Sequence, residues 1–348
     1  MDEGDPTELL RRMVEIPSVV GEEGELADYI VRRMRTLGLR SWRDDAGNAV
    51  GEIAPSGGPT IMLLGHLDTV PGQLPVYVRE NVLYGRGTVD AKGPLAAMIW
   101  AAARAGRRCR ARILVVGAVG EEGLSPGAHH LLTGPAPDAV FIGEPSGVDT
   151  VVLGYKGIIS FSLKVTRPPS HTSSPAEKAV EMAVTYWQDI VKHLAACHPD
   201  GPLFERAIPT LKELHGNITQ AQAEISCRLP LGFDITAFRK WLQDHAEDGL
   251  IEVTEEVPAI RSTRRDPVVR ALSSAIRRHV GPLVTKVKLS TSDMNIVGPA
   301  WRVPIAAYGP GNSRLSHSAE ERVDLLEYVR SITVLTDAIG TVVDDLQG

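Results

Sequence analysis

Cysteine is scarce in this chain: Cys109, Cys197 and Cys227 are the three, far apart and without a CxxC pair. So odd and sparse a set excludes a disulfide framework and a cysteine-built metal site, and it fits a reducing compartment. An excess of positive charge is also missing. The formal net charge is −6, which gives no ground for a phosphate-backbone partner, so no nucleic acid is expected. Short basic clusters (Arg107-Arg108-Cys109-Arg110, Arg261 to Arg265, Arg277-Arg278) read as solvated helix ends and loops. No apolar run approaches the ~20 residues that a membrane span needs. The N-terminal MDEGDPTELLRRM is acidic and lacks an apolar signal core, so a cytoplasmic protein with no membrane partner is expected. Repeats and low-complexity segments are absent. No GxGxxG opens a helix after the first strand, and GRGTVDAKG lacks that spacing, which sets aside a nucleotide-binding sheet.

What the chain does have is a series of apolar segments in helix–strand alternation. Its 348 residues are better divided between two domains than packed into one, and 43% hydrophobic residues is ordinary for a globular protein. Pro6-Thr7-Glu8-Leu9-Leu10 opens a helix, and Gly24 to Leu37 carries Leu26, Ile30, Val31 and Met34 at helical spacing. Asn48 to Ile53 reads as a short strand. Ile61-Met62-Leu63-Leu64 is a buried strand that runs into Gly65-His66-Leu67-Asp68. Gly93 to Ala105 is a helix whose small side chains predict close packing on a sheet. Ala111 to Val119 is a parallel-type strand by its continuous β-branched run, and it ends in Gly120-Glu121-Glu122-Gly123. Asp138 to Gly143 is a third such strand, ending in Glu144-Pro145-Ser146. With helices between them the strands should be parallel. His66 and Asp68, Glu121 and Glu122, and Glu144 should then lie along one sheet edge.

From Gly154 the pattern changes. Tyr155 to Val165 alternates like a half-exposed antiparallel strand, and the loop RPPSHTSSP precedes a helix from Ala176 to about Ala195. Ile208 to Leu214, Gln220 to Leu229 and Leu250 to Val257 read as strands, with a helix at Ile235 to His245. This βαββαβ order describes a compact α+β module. From Asp266 the alternation resumes with helix Asp266 to Arg278, strands Thr285 to Leu289 and Val303 to Ala307, and helix Ala319 to Ile339. The expected organisation is an α/β catalytic domain with a mostly parallel sheet, residues 1–153 and 262–348, into which an α+β domain, 154–261, is inserted.

A pair of divalent ions needs a carboxylate that can bridge them, with histidine and carboxylate ligands on each side. Asp90, in GRGTVDAKG, is the expected bridge. His66 and Glu144 would complete one ion's protein ligands, and Glu122 and His317 the other's. His317 lies in the glycine-rich YGPGNSRLSH after the last strand. Asp68, two residues beyond His66, is placed to accept its free ring N–H. Glu121 is then left as general base. Singly each residue has a plainer reading: a structural histidine, a solvated acidic loop at Glu121-Glu122, a carboxylate at a helix N-terminus for Asp90. Their convergence on one sheet edge argues for metal. His129 and His130 have no strand-end placement and read as ordinary helix residues.

GHLDTVPG, GRGTVDAKG, GEEG, GEPS and the terminal glycine loop with His317 resemble the dinuclear-zinc deacylase and exopeptidase family. That family includes acetylornithine deacetylase, succinyl-diaminopimelate desuccinylase and the carboxypeptidase G type enzymes. The resemblance covers nearly the whole chain. It implies the same ligand set, with Glu121 as general base and Asp68 as the aspartate behind the histidine. It implies a zinc-exopeptidase-like catalytic domain, with the inserted ferredoxin-like domain serving as lid and as the interface of a homodimer. His171, in PSHTSSP, matches the lid histidine that reaches the partner subunit's active site and helps polarise the scissile carbonyl. Asn217 and Arg228 resemble lid positions that hold a substrate carboxylate, although Ser226 stands where relatives often carry an acidic residue. STSDMN and GPGNSRLSH resemble the branch of the family that frees lysine or ornithine from an acidic amino-group carrier protein. Ser292 and Gly309, in those segments, are the substrate-binding positions this likeness implies.

The expected chemistry is metal-assisted amide hydrolysis, in which Glu121 takes a proton from the attacking water and delivers it to the leaving amine. Two divalent ions are implied. Zn2+ is the default for such ligands, and Co2+ or Mn2+ can occupy them too. The nearest rival is an N-acyl amino-acid deacylase of the N-acetylornithine deacetylase kind, or a small-peptide exopeptidase. A metal-dependent binding protein without catalysis is disfavoured, because it would have little use for Glu121.

Overall fold

The computed structural model describes residues 4–54, 57–197 and 201–348. The chain divides into two compact units: Met1–Gly154 with Ser262–Lys286 and Ser292–Gly348, and Tyr155–Arg261 with Val287–Thr291. Segment 287–291 thus groups with the second unit rather than with the sequence that flanks it.

A mostly parallel sheet organises the first unit. Thr60–His66 pairs parallel with Arg112–Ala118 on one side and with Ala139–Ile142 on the other. Ile305–Ala307 pairs parallel with Ala139–Ile142. The flanks are antiparallel: Ala49–Ile53 lies on Arg112–Ala118, Arg40–Arg43 on Ala49–Ile53, and Thr150–Tyr155 against Ile305–Ala307. Successive strand residues point to opposite faces, yet Ile61, Met62, Leu63 and Leu64 are all buried. The sheet is therefore covered on both sides, which is why its central strands show no polar alternation.

Helix Lys92–Ala105 is buried along almost its whole length, packed between this sheet and helices Pro6–Glu15 and Leu325–Gln347. The approach depends on missing side chains. A Cβ on Gly143 would stand 2.7 Å from Met98 Sδ, and one on Gly65 would stand 3.4 Å from Leu95 Cβ.

Besides the unexpected flanking strands Arg40–Arg43 and Thr150–Tyr155, three features depart from the expected elements. The last helix is Leu325–Gln347 and begins later than Ala319, because Arg322–Asp324 is a strand paired with Val82–Tyr84. Asp324 then caps the helix by accepting from the N–H groups of Leu326 (2.7 Å) and Glu327 (3.0 Å). Strands Tyr77–Arg79 and Val82–Tyr84 form a hairpin through Glu80 and Asn81, whose φ values of 52° and 63° make a two-residue type I′ turn. Residues Met294–Trp301 are helical, and the strand after them is the shorter Ile305–Ala307.

The second unit is a four-stranded antiparallel sheet in the order Ile208–Gly216, Gln220–Leu229, Gly157–Thr166, Leu250–Val257. Helices Ala179–Cys197 and Ile235–His245 share its core. Strand Gln220–Leu229 alternates as a one-faced strand should. Ala221, Ala223, Ile225, Cys227 and Leu229 enter a core with Phe161, Leu163, Tyr186 and Leu242. Among the described residues no helix is long and apolar enough to cross a membrane.

Candidate metal centre

The parallel register brings the strand ends level. His66 stands opposite Ala118, and Leu64 opposite Ile142, so His66, the turn Gly120–Gly123 and Glu144 are neighbours. His66 is 1% exposed. Its Nδ1 lies 3.0 Å from the main-chain oxygen of Asp68 and 3.5 Å from Asp68 Oδ1. The nearer acceptor of the ring N–H is thus the carbonyl, not the expected carboxylate. The Asp68 carboxylate accepts instead from the N–H groups of Glu121 (3.0 Å) and Glu122 (2.8 Å). One residue therefore orients the imidazole with its backbone and the Glu121-Glu122 turn with its side chain.

With Nδ1 held in this way, His66 Nε2 points at three carboxylates: Asp90 Oδ1 at 3.4 Å, Glu144 Oε1 at 3.8 Å and Glu121 Oε2 at 3.9 Å. His317, in the left-handed region at φ 62°, presents Nε2 2.7 Å from Glu122 Oε1 and 3.4 Å from Asp90 Oδ2. The two oxygens of Asp90 face different histidines. Ligand atoms of His66, Asp90 and Glu122 lie within 4.8 Å of one another, and so do those of His66, Glu121 and Glu144.

The electrostatics are those of crowded acids. Burial, reinforced by Glu144, Asp293 and Glu122, pushes the Glu121 carboxyl well above its ordinary range. Burial works against a charged His66, but Asp68, Asp90 and Glu121 hold its pKa well above the usual value. Hydrogen bonds that its ring N–H donates to Asp90 and Glu122 lift His317 to about 10. His66 Nε2 is buried and has no hydrogen-bond partner, a costly state for a polar atom. A buried nitrogen aimed at three carboxylates, the nearest 3.4 Å away, fits a divalent cation, and Asp90 has the geometry to serve two.

Of the other expected positions in this unit, Gly309 donates its N–H to Ser146 Oγ at 3.1 Å and accepts from the Ser146 N–H at 3.2 Å. Ser292 is buried, and its hydroxyl accepts from the Met294 N–H at 3.2 Å. In the second unit His171 is exposed. Its Nδ1 accepts from the Ser173 N–H at 3.2 Å, with Ser173 Oγ 2.7 Å away. Asn217 turns the hairpin: its Oδ1 accepts from Thr219 N–H (2.8 Å), Thr219 Oγ (2.9 Å) and Gln220 N–H (3.1 Å). Arg228 donates from Nη1 to Thr291 Oγ at 3.1 Å.

Two residues of the site were not anticipated. Glu321 Oε1 accepts from the N–H groups of Gly87 (2.9 Å), Val89 (3.0 Å) and Asp90 (3.0 Å), while Oε2 accepts from Arg86 at 2.7 Å. Asp293 is buried, and burial pushes it up to about 7 against the pull of His66 and a hydrogen bond from Ser125, with Asp68 and Glu144 close enough to add their charge. Neither follows an apolar run: Glu321 lies in SAEERV, and Asp293 in STSDMN, a segment marked in the sequence only by its family likeness.

Comparison with known proteins places the chain in a family. Residues 62–341 match the model of the peptidase family M20/M25/M40. A protein of Deinococcus radiodurans named LysW-lysine hydrolase is 40% identical over 351 residues, covering 97% of this chain and 96% of that protein. One of Saccharolobus islandicus named LysW-lysine/LysW-ornithine hydrolase is 30% identical over 275 residues, covering 77% of each. Among solved structures, YXEP of Bacillus subtilis, described as a dinuclear metal-binding peptidase from the M20 family, superposes with a TM-score of 0.72. It has 15% identity over 98% of both chains. The chain belongs to the peptidase family M20/M25/M40 and is a metal-dependent hydrolase of amide bonds.

Proposed function

We propose that this chain frees lysine or ornithine from the LysW amino-group carrier protein, in lysine and arginine biosynthesis. The bond hydrolysed would join the γ-carboxyl of the carrier's C-terminal glutamate to the amino acid's α-amine. The observation that carries this reading is the nearly full-length likeness to a LysW-lysine hydrolase, in a chain that also gathers His66, Asp90, Glu121, Glu122 and Glu144, with His317 against Asp90 and Glu122. Lysine and ornithine differ by one methylene, which discriminates by only ~1–3 kcal/mol, so both are proposed as products.

We assign His66, Asp90 and Glu144 to one ion and Asp90, Glu122 and His317 to the other, with Zn2+ as the metal and Co2+ or Mn2+ able to replace it. When bound, such ions polarise the amide carbonyl and acidify water. Glu121 takes the proton of the attacking water and delivers it to the leaving amine. Asp68 keeps the turn that carries Glu121 in place. In the neutral ring of His171, acceptance at Nδ1 leaves the proton on Nε2, where it can donate to the developing oxyanion. We assign that donor to the active site of the partner subunit in a cytoplasmic homodimer built through residues 154–261. Arg228, the Nδ2 group of Asn217, Ser292 and Gly309 are assigned to substrate contact.

The test is a release assay on purified carrier bearing lysine or ornithine, with N-acetylornithine run alongside and metal content measured. Release of both amino acids from the carrier is expected. Turnover of N-acetylornithine without release from the carrier would overturn the reading in favour of a small-acyl deacylase.

A further inference from the structure

Gly85 and Gly87 turn the chain with φ values of 146° and 87°, conformations open to glycine and strained for other residues. The turn gathers the N–H groups of Gly87, Val89 and Asp90 around one point. Converging backbone N–H groups make an anion-binding concavity, and here the anion is a side chain of the same protein. Glu321 Oε1 accepts all three at 2.9, 3.0 and 3.0 Å, and Oε2 accepts from Arg86 at 2.7 Å. The Glu321 side chain is 0% exposed. A buried carboxylate is tolerated only when its oxygens are met in this way.

Local pairing delivers the carboxylate there. Arg322–Asp324 runs antiparallel to Val82–Tyr84, and the Gly85 N–H donates to the Glu321 main-chain oxygen at 3.2 Å. Glu321 follows His317 by four positions and holds the backbone of Asp90. Asp90 and His317 lie outside the helices and strands, so no regular ladder fixes the distance between them. The Glu321 carboxylate does. From that anchor Asp90 turns Oδ1 to His66 and Oδ2 to His317, each at 3.4 Å.

We infer that Glu321 is a positioning residue for the metal pair: by clamping the Gly87–Asp90 backbone to the loop of His317, it sets the span across which the two ions are held. It touches neither ion nor substrate and acts through Asp90. Partners of this kind change metal affinity by about 10–100-fold when removed. The inference rests on the reading of Asp90 and His317 as ligands, and not on which amide is cut.

The experiment compares Glu321→Gln, Arg86→Gln and Asp90→Asn with the unaltered chain. Circular dichroism and thermal unfolding report folding, and chelator competition reports metal stoichiometry and affinity. Glutamine keeps the shape of Glu321 but offers an N–H where Arg86 or the backbone also donates. A folded Glu321→Gln protein that holds the ions about 10–100-fold more weakly is expected, with a smaller loss for Arg86→Gln. Should Glu321→Gln not fold, Arg86→Gln carries the test, since it leaves the three backbone contacts in place. Unaltered metal affinity in either folded variant, even with a lower melting temperature, overturns the inference, because a merely structural role would give that result. If Asp90→Asn loses metal while Glu321→Gln does not, only the role of Glu321 fails. If Asp90→Asn keeps both ions, the ligand reading fails and takes this inference with it.

Discussion

His317 Nε2 lies 2.7 Å from Glu122 Oε1, joining two loops 195 positions apart in the chain. As an ion pair alone this contact would add little, since the His317 side chain is 48% exposed and such pairs contribute about 0–1 kcal/mol. Its value lies in what the two atoms can hold together with Asp90. His317→Ala is therefore expected to leave the melting temperature of the metal-free protein nearly unchanged while bound metal falls from two ions towards one. Elemental analysis of protein dialysed against low metal, beside calorimetry of the metal-free form, reads both quantities. Two tightly held ions in the variant would remove His317 from the ligand set.

Glu121 and Glu122 are adjacent, yet only Glu122 is within hydrogen-bond reach of His317. The Glu121 carboxylate faces His66, 3.9 Å from its Nε2. Glu121→Gln keeps the shape and removes the basic oxygen, so turnover should fall about a hundredfold to ten-thousandfold with metal content kept. Rate and bound metal measured on one preparation separate the roles. Full turnover would dismiss Glu121 as the base, and loss of metal would make it a ligand.

How much of this could be read from sequence depends on where each residue stands. His66, Glu121, Glu122 and Glu144 were legible because they follow apolar runs, and in a parallel sheet the end of such a run is also a place on one edge. The run at Ile61–Leu64 has no polar alternation because both faces are covered, which is itself a readable sign. Asp90 and His317 follow no such run; they stand in glycine-rich segments and are expected as ligands only because a metal pair needs a bridging carboxylate and a second histidine, which the family likeness also implies. Glu321 escaped detection for a physical reason. Its burial is decided by the left-handed turns at Gly85 and Gly87 and by a three-residue strand pairing with Val82–Tyr84, too short to leave a periodic trace. The same pairing displaced the start of the last helix, since Arg322–Asp324 had to be strand before Asp324 could cap. Asp68 was identified as a supporting residue, but sequence could not tell its carbonyl from its carboxylate.

That distinction makes Asp68→Asn informative. The carboxylate accepts two backbone N–H groups, from Glu121 at 3.0 Å and Glu122 at 2.8 Å, at a position that is 0% exposed. Asparagine supplies one acceptor oxygen and sets an N–H₂ group against the other donor. An unsatisfied buried donor costs about 1–3 kcal/mol, so the melting temperature should fall and the Glu121-Glu122 turn should loosen. The His66 ring contact, made by the main-chain oxygen, survives the change. Activity should drop more steeply than affinity for the ion at His66. If stability and activity both match the unaltered chain, the carboxylate is not what holds the turn.

Gly309 offers the sharpest steric test. A Cβ added there would stand 2.7 Å from Pro94 Cβ and 2.8 Å from the main-chain oxygen of Glu144. Neither neighbour can rotate away: one is a proline ring at the start of helix Lys92–Ala105, the other is backbone at the end of strand Ala139–Ile142. The strain must push back the Glu144 peptide or the loop that runs from Tyr308 to His317. Overpacking of this kind costs about 1–3 kcal/mol, and here the displaced atoms belong to the same residue whose carboxylate lies 3.8 Å from His66 Nε2. Gly309→Ala should therefore lower the melting temperature and weaken metal binding together, whatever the amide substrate offered. A variant that binds both ions normally and loses only affinity for carrier-linked amino acid would show that the loop yields and Glu144 does not, which would make Gly309 a substrate contact alone.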